Sequence, residues 1–195
     1  TTRLEVAVLV ALVGVLGIVG HAAVTKFIQR AAIEEAQENL ALLYRNSMLY
    51  FGIDHIACGI RPDTTPYDFP PSQEPTPGDC RTCARSPGGV CDPDEYSIAQ
   101  WGATTWYSLD FAMREPHRFV YSYESEGSFG GSCGPGPGEA FFTARASADL
   151  DNDGICSTFE RAGYGDAEVY HRVNRNRRFG AMPEPGPLWV HQPYE

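Results

Sequence analysis

With 195 residues, the chain is long enough for one domain and an appendage. A net charge of -10 and a pI of about 4.9 argue against general nucleic-acid binding and for a self-repelling, solvated surface. The apolar share of 43% is concentrated in the first fifty residues, so the remainder is more polar than the average and its core modest.

The first segment reads Thr1-Thr-Arg3-Leu-Glu5 and then an apolar run. Val6 to Val24 is about 19 residues, or roughly 28 Å of helix, which matches the hydrocarbon thickness of a bilayer. A cleaved secretory signal has a shorter apolar core, so this segment is expected to be retained. Glu5 heads this run, and a carboxylate there is costly in lipid unless it has a partner or a task. Gly14, Gly17 and Gly20 recur every third residue. They permit close helix contact and weaken the helix locally by about 1 kcal/mol each against Ala. His21 follows, where a residue of its type more often faces a neighbour or the interface than moves a proton.

Helical character continues past the apolar run. Ile28, Ala32, Ala36, Leu40 and Leu43 make one stripe, with Lys26, Arg30, Glu34, Glu38 and Arg45 mostly off it. No Pro or Gly interrupts residues 21 to 51, so the economical reading is one helix of about 50 residues, roughly 75 Å long. Gly52 and Asp54 stop it. The expected division is 1–52 as helix, with 1–24 facing membrane or partners and 25–52 covering a sheet, and 53–195 as a globular head.

Residues 55 to 95 are rich in Pro, Gly and Cys and read as a long irregular connection held by cysteines rather than by a core. Ser97 to Phe111 reads as a short helix or turn leading into a sheet. Arg118 to Glu124 alternates and is aromatic, a strand pattern; Ala140 to Ala146 is the next strand, with a loop from Gly127 to Gly138 between them. Ser157 to Arg161, Glu168 to Val173 and Leu188 to Val190 are weaker strand candidates. Strands following one long helix give an α+β class with an antiparallel sheet.

The six cysteines are Cys58, Cys80, Cys83, Cys91, Cys133 and Cys156. An even number in loop-rich sequence behind a membrane segment predicts three disulfides in an oxidising compartment, with the pairing left open. Cys80-Arg-Thr-Cys83 also admits metal or redox readings. Ala84 stands where a c-type haem site needs His, and a zinc site recruiting Cys58 or Cys91 has irregular spacing.

Asp149-Leu-Asp151-Asn-Asp153-Gly154-Ile155-Cys-Ser157-Thr-Phe-Glu160 fits a twelve-residue calcium loop. Asp149, Asp151, Asp153, Ser157 and Glu160 offer hard oxygens, Ile155 its carbonyl, and Gly154 the sharp turn. The flanks are not those of a helix pair, so the expected form is a stand-alone calcium loop between strands. The plainer alternative is an acidic turn without metal. His171 to Arg178 is a basic cluster, read as a solvated turn or subunit contact rather than a DNA site. No nucleophile elbow, phosphate loop or His-Glu-x-x-His motif occurs, so the chain reads as a non-enzyme.

The N-terminal fourteen residues resemble a mature type IV pilin: Glu at the fifth position, an unbroken apolar helix and an amphipathic continuation through Asn39 to Phe51. Arg118 to Tyr123, Phe141 to Ala146 and Asp149 to Gly154 resemble sheet segments of pilins from myxobacterial and related lineages. The chain departs from the family at Thr1, where Phe or Met is usual, at Arg3, and at Ala22, where many major pilins carry Pro. The resemblance implies a ladle-shaped subunit, its long helix packed on a four-stranded sheet head. It implies N-methylation at Thr1 by a prepilin peptidase, storage in the inner membrane, and assembly by dedicated machinery into an extracellular homopolymer on a Gram-negative surface. It implies Thr1 and Glu5 as assembly residues, with Arg3 a second partner for the carboxylate in this chain. A minor pilin or a secretion pseudopilin is the close alternative. A membrane-anchored calcium-binding adhesion module is the alternative from another class.

Overall fold

The computed structural model describes residues 27, 29–52, 69–93, 98–126, 139–166 and 188–191. Thr1, Arg3, Glu5, Gly14, Gly17, Gly20, Cys58, Cys133, the basic cluster at 171–178 and the strand expected at 168–173 lie outside them. Two compact units divide the chain at Glu35 and Ala36. Of the first, the described residues are helical. Among the described residues, no helix is long and apolar enough to cross a membrane.

Helix α1 runs over 29–51 and ends at Gly52, whose N–H reaches the Met48 and Leu49 carbonyls at 3.3 and 3.1 Å. The expected stripe is buried at Ala32, Ala36, Leu40 and Leu43 and continues through Tyr44, Met48 and Phe51, while Ile28 lies outside the described residues. Ser47 sits within the stripe and is satisfied locally, its hydroxyl donating to the Leu43 carbonyl at 2.8 Å.

The sheet has five described strands in sequence order: β1 (Gln73–Thr76), β2 (Val120–Glu126), β3 (Glu139–Ala148), β4 (Ser157–Asp166) and β5 (Trp189–His191), all neighbours antiparallel. The class is therefore α+β. The four-stranded sheet implied by the resemblance is corrected to five. β1 falls within the stretch expected as irregular connection, where Pro75 and the lack of periodicity hide a strand. A strand at the sheet's edge tolerates a proline that a central strand would not.

One sheet face is inward. β3 presents Ala140, Phe142, Ala144, Ala146 and Ala148 there, β2 presents Tyr121 and Tyr123, and β4 presents Phe159. The small β3 residues leave room for large rings. Tyr123 stacks on Phe142 at 5.5 Å, Phe142 meets Tyr44 at 5.7 Å and Phe69 at 4.7 Å, and Phe69 meets Phe51 at 5.0 Å. Each such pair adds about 0.5–1.5 kcal/mol beyond its buried area.

β4 extends past Arg161, where the strand expected from the sequence ends, through Gly163 and Gly165. A Cβ on Gly163 would lie 2.4 Å from the Phe142 ring, and one on Gly165 would lie 2.4 Å from Phe51. These two positions admit the rings that lock helix to sheet. Gly165→Ala is expected to cost about 1–3 kcal/mol by overpacking, measured by urea unfolding. Adding Phe51→Leu should recover part of the loss; independent, additive effects would show that the two sites do not share this space.

Two short helices, α2 (Ile98–Trp101) and α3 (Thr104–Ser108), fill the space between α1 and the β1 edge. Trp106 donates to Thr76 Oγ1 at 2.9 Å, Thr105 to the Pro71 carbonyl at 2.7 Å, and Asn46 to the Leu109 carbonyl at 2.7 Å. Asn39 Nδ2 donates to the Tyr121 hydroxyl at 2.8 Å, tying α1 to β2. Trp101, Trp106, Phe111 and Tyr121 form a second aromatic cluster with centroids 5.2–6.4 Å apart.

Candidate functional site

The β3–β4 connection carries the densest set of metal-capable oxygens among the described residues. Carboxylate atoms of Asp149, Asp151 and Asp153 lie within 4.8 Å of one another. The backbone explains their convergence. Asp149 accepts from the N–H groups of Asp153 at 3.2 Å and Gly154 at 3.0 Å, using different oxygens. Asp151 Oδ1 accepts from Asp153 N–H at 3.3 Å, and Asp153 Oδ1 from Ile155 N–H at 2.7 Å. Asn152 and Gly154 hold φ of 63° and 96°. Asn tolerates that region through its short polar side chain, and Gly occupies it without a Cβ clash, so the coil turns tightly enough to aim alternate carboxylates inward.

The far end of the twelve-residue motif lies in a strand. β4 begins at Ser157, which is fully buried opposite Ala148. An extended chain rises about 3.4 Å per residue, so it carries Glu160 away from the loop. Glu160 instead pairs with Arg145 across the strand pair, and Arg145 also meets Glu124 at 2.6 Å. Hydrogen bonding to Glu124, then to Glu160, outweighs burial and raises the Arg145 pKa above its ordinary value. The oxygens that converge are therefore those of the three aspartates, and Ile155 turns its side chain toward solvent.

The loop is anchored at both ends to one residue. Asp149 N–H donates to the Cys80 carbonyl at 3.0 Å, and Cys156 is disulfide-bonded to Cys80. The second described disulfide joins Cys83 to Cys91. By chain entropy the 76-residue and 8-residue separations correspond to about 4.5 and 2.5 kcal/mol of stabilisation. Immediately before Cys80, Asp79 caps the turn that follows. It accepts from Arg81 N–H at 3.0 Å and pairs with Arg85 at 3.3 Å, an exposed contact.

A second convergence was not visible as such in the sequence. Cys91 and His117 form an isolated antiparallel bridge, with N–H to carbonyl bonds of 2.8 and 3.1 Å in the two directions. It brings His117 to the Cys83–Cys91 pair, and ligand atoms of all three lie within 4.8 Å of one another. Cys83, Cys91 and Val120 make a buried cluster against which Cys80 packs. His117 is buried, and desolvation lowers its pKa below the ordinary imidazole value despite the opposing pull of the Glu115 carbonyl. Sequence spacing favours disulfides over a zinc site recruiting Cys58 or Cys91, and it gives no place to His117. Only the strand-like bridge between distant segments supplies it.

Compared with family models, curated proteins and solved structures, the chain matches none.

Proposed function

We propose that this chain is the structural subunit of a type IV pilus-like filament, polymerising through its apolar N-terminal helix. The reading rests on one combination: an apolar, Glu5-headed N-terminal sequence of membrane length, followed by a helix over 29–51 whose buried stripe covers an antiparallel sheet. The ladle shape follows if the apolar run extends the helix beyond the sheet. Subunits wait in an inner membrane and are then packed helix to helix outside the cell. Filament assembly buries the apolar runs against one another, and Glu5 then needs a cation: the α-amino group at Thr1 or the Arg3 guanidinium of an adjoining subunit. The disulfides suit an oxidising, extracellular setting. Minor-pilin and pseudopilin roles use the same assembly chemistry.

Shearing cells and sedimenting the released material tests the reading. The chain should pellet as a polymer and dissociate in detergent. Recovery solely in the membrane fraction would favour the other class, an anchored adhesion module.

Calcium is the proposed ligand of the Asp149–Asp153 loop, where three carboxylates aimed at one point suit a hard divalent cation. With no Glu160 in the set, the affinity belongs to the weak range of extracellular modules, about 10⁻⁴–10⁻³ M. At a hundredfold excess over Kd, calcium should add about 2.7 kcal/mol, read as a rise in thermal midpoint that chelator reverses. Asp151→Ala should abolish the rise. An identical midpoint with calcium and with chelator would leave the loop as a self-contained acidic turn.

A further inference from the structure

His117 has no part in the assembly reading and does not depend on it. It ties three pieces of the head together. Its backbone makes the two-way bridge to Cys91, with bonds of 2.8 and 3.1 Å. Its ring meets the Trp101 ring of α2 edge to face, centroids 6.0 Å apart. Three residues on, Val120 opens β2 and packs on the disulfide-bonded Cys83 and Cys91. The residue is 1% exposed. Its Nδ1 lies 3.2 Å from the Glu115 carbonyl oxygen. A carbonyl only accepts, so Nδ1 carries the proton, and Nε2 is a buried lone pair without a hydrogen-bond partner.

Among the described residues, nothing stands by to pair with a proton on Nε2. Cys83 and Cys91 are bonded to each other and do not titrate. Trp101 Nε1 is a donor, itself buried without a partner. On β2, the Tyr121 hydroxyl is engaged by Asn39 at 2.8 Å. Arg118, the next residue, is a cation that donates to the Gly89 carbonyl at 3.2 Å. Glu115 offers its carbonyl to the ring rather than its carboxylate. Desolvation and that carbonyl are what act on the imidazole, and no charged side chain contributes.

We propose that His117 is a proton-operated latch: when Nε2 takes up a proton from solvent, the ring leaves its cluster, the Cys91–His117 bridge opens, and the 83–91 segment parts from the entry to β2 with its disulfide intact. A buried imidazolium bears both a desolvated charge and an unpaired N–H, whereas in the opened form water satisfies both nitrogens. Burial holds the folded imidazole below the ordinary value of 6.5. The closed form is therefore fully favoured above 6.5 and loses ground as pH falls from there through the folded value. Within that window the opening constant rises by up to about tenfold per pH unit, the limit for one proton.

Amide hydrogen exchange on the oxidised full chain in detergent micelles tests this. After correction for intrinsic rates, the Cys91 and His117 amides should lose protection by up to about tenfold per pH unit below 6.5, while the β3–β4 ladder keeps its own. Carbon-13 shifts of the His117 ring in the same sample should show it titrating below 6.5. His117→Phe fills the place without a titrating nitrogen and should remove the pH dependence. The ring titration is read on the wild type, so it decides even where the variant does not fold. A ring that titrates at or above 6.5, protection at Cys91 and His117 that does not change with pH, an equal loss across the β3–β4 ladder, or a pH dependence that persists in His117→Phe would each overturn the proposal.

Discussion

Glu5→Ala is expected to abolish filament assembly, or cut filament yield at least tenfold, while membrane insertion is unchanged. Removing the carboxylate makes the apolar run more hydrophobic, so insertion does not suffer. In a filament core the carboxylate would be surrounded by apolar helices and paired with a cation from an adjoining subunit. Losing one member of a buried pair costs roughly 3–5 kcal/mol, because the other is left uncompensated. Repeated at every subunit addition, that is enough to reject the growing end. Two candidate cations exist in this chain, the Thr1 amino group and Arg3. Arg3→Gln separates them: unchanged assembly assigns the pairing to the amino group, and loss equal to that of Glu5→Ala assigns it to the guanidinium. Normal filament yield from Glu5→Ala, measured by immunoblot of sheared material, would contradict a register role for the carboxylate.

Phe51→Ala is expected to lower the unfolding free energy of the head by about 3–5 kcal/mol, a large part of the 5–15 kcal/mol typical of a domain. Phe51 is 1% exposed and lies in the last turn of α1, against Phe69 and over Gly165. Truncation removes the ring and leaves a space that Gly165, lacking a Cβ, cannot refill. The sheet strands should survive, while the end of the helix loosens. Urea unfolding of oxidised protein measures this; a loss under about 1 kcal/mol would mean that the ring is not a principal lock between helix and sheet.

How far these features were legible in the sequence depends on how local their physics is. The α1 stripe was legible at Ala36, Leu40 and Leu43 because helical period and burial coincide. β2 and β3 were legible because aromatic and small residues alternate there. The extension of β4 through Gly163 and Gly165 was not legible, since nothing local marks two glycines as strand. Their role is set by Tyr44, Phe51 and Phe142, which reach them from other elements. The aspartates of the calcium-loop motif were legible as a turn that gathers carboxylates. Ser157 and Glu160 lie in the strand that the flanks suggested, and the pairing of Glu160 with Arg145 across β3 and β4 is something the loop's spacing does not announce. Cys83–Cys91 was one of many pairings, and His117 joins it through a bridge that no local pattern announces.

Electron microscopy of sheared cell-surface material, with the subunit identified by mass spectrometry, tests the proposed polymerisation through the N-terminal helix. Thin helical filaments with this chain as the main component, apolar helices at the centre and sheet heads outside, are the expected result. A chain found solely as a monomer in membranes, with no filament containing it, would contradict it.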